Sequence, residues 1–130
     1  MTGLVLKQVE GGRELERFMR VPWELYGNDP AWVPPLLLQV KERLSRRHNP
    51  YFDHADAAYF LAERDGQTVG RISAQVCQLV QEYQEAGTGH FGMFECEDRQ
   101  ETADALFDAG ADWLRQREMK RVMGPIDLSI

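Results

Sequence analysis

Cysteine is scarce in this chain, with Cys77 and Cys96 the only two among 130 residues. That is too few for the disulfide framework by which small secreted domains compensate for a thin core. No apolar run approaches the roughly 18 residues needed to span a bilayer. The opening residues, Met1-Thr2-Gly3-Leu4, carry neither the basic nor the apolar region of a secretory signal, so the expected location is cytoplasmic. Positive charge is in deficit: 15 Lys and Arg face 21 Asp and Glu, for a net charge of −6 and a pI near 5.0. A surface of that sign does not neutralise phosphates, so no nucleic-acid partner is expected, and the absence of a spanning run gives the expectation of no membrane partner. The basic cluster Lys41, Arg43, Arg46 and Arg47 interleaves with Leu36, Leu37, Val40 and Leu44 at helical spacing, which reads as the solvated face of an amphipathic helix.

Motifs of common chemistries are also missing. There is no Walker loop and no dinucleotide fingerprint. Ser73 and Ser129 lie in no nucleophile elbow, and no Ser/His/Asp or Cys/His pair is spaced for covalent catalysis. His48, Asp53, His54 and Asp56 crowd one stretch, but their spacing fits no closed metal site, so no metal is expected. Pairing of the two long strands through a loop near Glu82 to Gly89 places Cys77 opposite a residue near Gly92, away from Cys96. Both thiols are read as reduced, buried and inert.

What remains is an ordinary single domain, residues 1–130, large enough to bury about two thirds of its unfolded surface. Leu4 to Val9 alternates as a short strand, ended by Gly11-Gly12. Arg13 to Val21 places Leu15, Phe18 and Met19 on one helical face, and Pro22 is expected to stop that helix. Val21 to Pro35 is too rich in proline for regular structure and too rich in aromatics for disorder. Pro35 to about Arg47 reads as a second helix with proline in its first turn. Ala57 to Arg64 and Gln67 to about Val80 are strands joined by Asp65-Gly66, a pair suited to the positive φ angles of a two-residue hairpin. Gly70 within the second of these marks a bulge or a close backbone approach. His90 to Cys96 alternates His90, Gly92, Phe94 and Cys96 against Phe91, Met93 and Glu95. Ala103, Leu106, Phe107, Gly110, Trp113 and Leu114 form the stripe of a long helix, and Met119 to Met123 is a last short strand before Gly124-Pro125.

The joint between the His90 strand and the long helix is Glu95-Cys96-Glu97-Asp98-Arg99-Gln100-Glu101. It contains no glycine, and it is filled with carboxylates where a helix N-terminus would favour an anion. Asp98 and Glu101 are expected to cap their own helix.

The order β-α-α-β-β-β-α-β in an α/β mixed sheet, with the Asp-Gly hairpin and Val69-Gly70-Arg71-Ile72-Ser73-Ala74 leading the long third strand, resembles the GCN5-related N-acetyltransferase (GNAT) superfamily. Val21-Pro22-Trp23, Asp29-Pro30-Ala31-Trp32-Val33-Pro34-Pro35-Leu36, Asn49-Pro50-Tyr51-Phe52, Phe91-Gly92-Met93-Phe94-Glu95 and Gly124-Pro125 look like the N-terminal part of a larger bacterial GNAT-like family of unassigned activity.

The resemblance implies acetyl-CoA held where the fourth and fifth strands splay apart, near Phe94, Cys96 and Arg99. It implies Glu95 as the base that takes a proton from an acceptor amine or other small-molecule substrate. It implies Tyr26, Trp32, Tyr51 and Phe52 as lining of the acceptor pocket. Two departures stand against these implications. The Gln/Arg-x-x-Gly-x-Gly/Ala phosphate turn is absent between Glu95 and Thr102, where each of Glu97, Asp98 and Glu101 would repel a pyrophosphate by on the order of 1 kcal/mol. The usual C-terminal helix and strands are also missing after Ile130, so the domain is expected to be incomplete or completed by a partner chain, with Leu128 and Ile130 suited to a homodimer or an intramolecular partner domain. Two readings follow. One is an acyl-CoA-dependent N-acyltransferase whose cofactor binding is impaired in this chain. The other is a non-catalytic structural, dimerising or ligand-sensing module.

Overall fold

The computed structural model describes residues 3–128. Its regular elements are β1 (Leu4–Gln8), α1 (Gly12–Tyr26), α2 (Leu37–Leu44), a 3-10 turn (Pro50–Asp53), β2 (Ala55–Arg64), β3 (Gln67–Cys77), α3 (Gln78–Tyr83), β4 (Thr88–Cys96), α4 (Gln100–Gln116) and β5 (Arg121–Met123). The five strands form one mixed sheet in the order β1-β2-β3-β4-β5, antiparallel from β1 to β4 and parallel between β4 and β5. The expected α/β plan is present. It differs by the short helix α3, which replaces the end of the expected Gln67–Val80 strand and part of the loop after it.

Period-two alternation in β2 and β3 divides the core between the sheet's two faces. Ala58, Phe60, Ala62, Ile72 and Ala74 point toward α4 and meet its Leu106, Trp113 and Leu114. Ala57, Tyr59 and Leu61 point the other way, toward Phe18, Met19 and Val21 of α1 and Leu44 of α2. Leu106 is fully buried, and its Cδ1 occupies the space a side chain at Gly70 would fill, 2.7 Å from where that Cβ would stand. Gly70 therefore marks the close approach its position in the strand indicated. A bulge lies beside it, where the register steps from Ala62↔Gly70 to Glu63↔Thr68. Asp65 and Gly66 have φ of 54° and 77°, as the hairpin turn demands.

Pro22 does not stop α1, which runs on to Tyr26. A proline inside a helix removes the donor to the carbonyl four residues earlier, here Phe18. That carbonyl is satisfied from outside the helix: Arg71 Nη1 on β3 donates to it at 3.0 Å. α2 is shorter than expected, beginning two residues after Pro35 and ending at Leu44.

Leu128 is buried in the same core as Phe18 and Leu61, so it packs into its own chain rather than standing free for a partner. Ile130 and Ser129 lie outside the described residues. Gly92 stands opposite Ser73 and Cys77 opposite Ala55, so Cys77 is not the partner of a residue near Gly92, although it does lie far along the sheet from Cys96, which faces Gly70. Cys77 is buried and Cys96 half-buried, both unbridged. Burial, followed by the nearby Glu97 and Asp98 carboxylates, pushes the Cys96 thiol up from its ordinary pKa.

Candidate functional site

Three alternate residues of β3, Arg71, Ser73 and Gln75, form a buried polar stripe on the face that α1 covers. Polar groups at core positions are costly unless bonded, and each of these is bonded. Ser73 Oγ donates to Gln75 Oε1 at 3.0 Å, and Gln75 Nε2 donates to the Ile126 carbonyl at 2.7 Å. Arg71 makes two such bonds. Besides the Phe18 carbonyl, it donates through Nε to the Met93 carbonyl at 3.0 Å, with its guanidinium 5.1 Å from the Phe18 ring centre. Burial pulls the Arg71 pKa below its ordinary value, opposed by the charges of Glu95 and Asp127 and by Tyr26.

Opposite this stripe, β4 breaks its alternation. The register passes from Arg71↔Glu95 to Ser73↔Gly92, leaving an extra residue on β4, and Met93 sits at φ 48°. A bulge of this kind reverses side-chain parity beyond it. The expected grouping of His90, Gly92, Phe94 and Cys96 therefore holds only as far as Gly92. Phe91, Phe94 and Cys96 all pack on the α4 side, with Phe91 and Phe94 5.3 Å and 4.6 Å from the Phe107 ring. Glu95 turns to the polar face directly opposite Arg71. Its Oε2 is buried and has no hydrogen-bond partner among the described residues.

The chain after β5 crosses this bulge. Ile126 N donates to the Phe91 carbonyl at 2.8 Å, and Asp127 Oδ1 accepts from Met93 N at 2.9 Å. Gly92 makes the crossing possible, since a Cβ there would collide with the Ile126 carbonyl oxygen and stand 3.1 Å from Asp127 Oδ1. A cavity of about 190 Å³ lies alongside, lined by Tyr51, Gln75, Cys77, Val80, His90, Ile126 and Asp127.

The structure separates the aromatic candidates. Tyr26, at the end of α1, is paired with Glu95: burial raises its pKa, and hydrogen bonding to the Glu95 carboxylate raises it further. Trp32 packs 6.2 Å from Tyr26 and edge-on to Trp23 at 5.4 Å. Tyr51 lies apart from them, lining the cavity of about 190 Å³, and burial pushes its pKa up to about 12. Phe52 stacks edge-on to Tyr51 and lies under the Arg46 guanidinium. Phe94 and Cys96 are on the far side of the sheet from Glu95, so any contact they make with a ligand in the Glu95 site runs through the backbone. Arg71, Ser73, Gln75 and Asp127 were missed in the sequence. The Arg-Ile-Ser-Ala-Gln alternation was the available signal for the first three.

At the acidic joint the expected capping does not occur. Arg99 is the N-cap of α4, and among the described residues no side chain caps the helix. Glu97 is instead turned aside, accepting from Thr102 Oγ1 at 2.6 Å and from Arg64 Nη2 at 3.4 Å, while Arg64 also approaches Glu101 at 3.8 Å. Arg99 is exposed, and Asp98 and Glu101 stand beside it at the surface.

Among the described residues no helix is long and apolar enough to cross a membrane. No family model matches the chain. The chain is 45% identical over 118 residues to a bacterial ceramide synthase of Caulobacter vibrioides and 39% identical over 117 residues to Protein YghO of Escherichia coli. Each match takes in 90% of this chain, which spans 31% and 30% of the length of those relatives. Among solved structures, a tandem GNAT protein from the clavulanic acid biosynthesis pathway superposes with TM-score 0.67 at 14% identity, covering 89% of this chain and 34% of that one. A predicted acetyltransferase with acetyl-CoA from Clostridium acetobutylicum gives 0.65 at 10% identity, covering 96% and 82%.

Proposed function

On a chain that is a GNAT-like domain by fold, we propose that Glu95 serves acyl transfer from an acyl-CoA to an amine, within an N-acyltransferase longer than the residues described. The observation that carries this reading is the half-buried Glu95 carboxylate beside Arg71 and Tyr26, whose Oε2 is buried and unpartnered among the described residues. A base needs a free lone pair at hydrogen-bond reach of the proton it takes. In the proposed reaction the acceptor enters as the neutral amine, and Glu95 accepts the one N–H proton that its nitrogen gives up in becoming an amide. The amine nitrogen then adds to the thioester carbonyl, and collapse of the tetrahedral intermediate releases the CoA thiolate. Tyr26, its hydroxyl held protonated, orients the carboxylate. Acetyl-CoA or a longer acyl-CoA is the proposed donor, contacting the β4 backbone near Phe94 and Cys96, with Arg99 an exposed cation at the α4 end. The relative named as a ceramide synthase supports an amine acceptor of the long-chain amino-alcohol class, since a ceramide is the amide of such a base.

The test is acyl-CoA turnover by the full-length protein with a long-chain amino-alcohol, followed as free thiol. Glu95→Gln should lower kcat by 100-fold or more, about the contribution of a positioned base, with the fold intact. Turnover by the variant within twofold of the wild type removes the proposal.

The acidic joint favours a second reading, in which this chain is a GNAT-like module without a cofactor. Glu97, Asp98 and Glu101 outnumber Arg64 and Arg99 where a pyrophosphate would approach. Calorimetric titration with acetyl-CoA separates the two: no heat at millimolar cofactor selects the module, and micromolar affinity removes it.

A further inference from the structure

The segment Val33-Pro34-Pro35-Leu36-Leu37-Leu38 carries no polar side chain, and Val33, Leu36 and Leu38 are 84%, 67% and 68% exposed. Isolated exposed leucines are ordinary, but a contiguous apolar ridge marks a contact surface. The ridge runs directly into the chain's basic cluster. Leu38 and Lys41 line one groove of about 260 Å³ with Glu42, Ser45 and His48. Lys41 also lines the mouth of a neighbouring cavity of about 470 Å³ with Arg46 and Arg47, over a floor that includes Val9, Leu15, Leu44 and Tyr59. Arg46 is tied to Asp56 at 2.7 Å and Arg43 is half-buried, so Lys41 and Arg47 are the outward cations, and Glu42 is the one carboxylate lining either cavity. In a chain whose 130 residues carry a net charge of −6, this is a local reversal of sign beside an apolar ridge.

We propose that this face docks on an anionic lipid surface, Leu36, Leu38 and Val33 entering the headgroup boundary and Lys41 and Arg47 meeting lipid phosphates. Apolar insertion and cationic attraction are the two terms that hold a peripheral helix at a bilayer, and both are present on contiguous residues. A second copy of the chain is a poorer occupant, because a two-fold contact over this patch would set the basic clusters against each other. The expectation of no membrane partner rested on the absence of a spanning run, which a surface contact does not require.

The position also has a consequence for the site. Val33 follows Trp32, which packs on Tyr26, whose hydroxyl stands in the field of the Glu95 carboxylate. An amine dissolved in the bilayer would therefore meet the protein on the loop that leads to the candidate base. Docking itself is independent of the acyl-transfer reading, since it requires no turnover.

Co-sedimentation of the full-length protein with vesicles of phosphatidylglycerol and phosphatidylcholine, against vesicles of phosphatidylcholine alone, tests it. Binding to the anionic vesicles should be at least about tenfold tighter, the effect of two cations near a charged surface. The Leu36→Asp/Leu38→Asp variant should lose binding with an unchanged thermal midpoint, and Lys41→Glu/Arg47→Glu should lose the anionic preference. Absence of binding, equal binding to both vesicles, or variants that bind like the wild type would overturn the proposal. So would a dimer that dissociates in the Leu36→Asp/Leu38→Asp variant while the wild type ignores vesicles, which would assign the patch to a second copy. Turnover of a short water-soluble amine, unchanged in either variant, keeps this result distinct from the fate of the Glu95 proposal.

Discussion

Replacing Arg71 by methionine removes the cation that joins α1, β3 and β4. Two buried carbonyls then lose their donor, Phe18 of α1 and Met93 at the bulge, each bonded at 3.0 Å. Hydrogen bonds from a charged donor contribute about 1.5–3 kcal/mol each. Glu95 also loses the cation facing it. Against these losses stands relief from holding a guanidinium away from water, which is substantial for a group this buried. The net expectation is a loss of about 3–5 kcal/mol, the usual result of removing one member of a buried charged network. Urea unfolding measures it as a shift in midpoint at constant slope.

Pro22 supplies a control specific to this reasoning. The Phe18 carbonyl depends on Arg71 because Pro22 has no N–H to offer it. Pro22→Ala restores that donor, so Arg71→Met should cost about 1 kcal/mol less in the Pro22→Ala background. The double-mutant cycle isolates this coupling from the separate effect of releasing the proline ring. A coupling within about 0.5 kcal/mol of zero, the range expected of independent sites, would refute the claim that Arg71 compensates for Pro22.

Other expected outcomes can be checked directly. Burial opposes ionisation of Glu63, but hydrogen bonds and charge from Lys7 and Arg17 outweigh it and hold its pKa below the ordinary value. Its folded pKa therefore lies below the unfolded one, and its contribution is complete above about pH 4.5 and lost as pH falls through the folded value. Glu63→Gln should flatten that acid limb in urea titrations, and an unchanged limb would contradict the assignment. Gly92→Ala should cost about 1–3 kcal/mol by overpacking against Ile126. It should also speed hydrogen exchange at the Met93 amide, and unaltered exchange would show that Asp127 keeps its place. Asp98→Asn with Glu101→Gln should tighten CoA binding by roughly fivefold or more in calorimetry if surface charge is what opposes the pyrophosphate. No gain would place the obstacle elsewhere.

The parts of the fold that were legible in the sequence are those settled by neighbouring residues. Asp65-Gly66 fixes its turn through φ angles that few other pairs adopt, and the stripe from Leu106 to Leu114 fixes α4 through its period. Pro22 misled because the donor that rescues α1 comes from Arg71, 49 positions later in the sequence, and local preference cannot register a tertiary partner. The faces of β4 were misassigned beyond Gly92 because a bulge there leaves no mark in the alternation it interrupts. The α4 cap was misassigned for a different reason. Asp98 and Glu101 have capping chemistry and spacing, but Glu97 is drawn to Thr102 and Arg64, and the helix begins one residue later than a cap at Asp98 requires. The polar stripe Arg71, Ser73, Gln75 was missed although its alternation stands in the sequence, because its partners on α1, β4 and the segment after β5 do not.

Two signs bear on activity and point in opposite directions, and their energetic costs decide between them. The carboxylates at the start of α4 are at the surface or held by Arg64 and Thr102, so they cost the fold little, and exposed substitutions of this kind usually change stability by no more than about 0.5 kcal/mol. Their presence is weakly constrained by folding and says little about what the protein must do. The arrangement around Glu95 is costly by comparison. It buries the Arg71 guanidinium and one oxygen of the Glu95 carboxylate where apolar side chains of equal volume would leave the fold as stable or more so. It also holds Met93, a residue with a side chain, at φ 48°, which costs roughly 1–2 kcal/mol, and it leaves Glu95 Oε2 without a partner. Strain and unsatisfied polarity gathered at one place are what a site retained for chemistry looks like, because folding alone would remove them. The half-buried Glu95 carboxylate therefore weighs more than the acidic helix start, which favours the proposed acyl transfer over the proposed module.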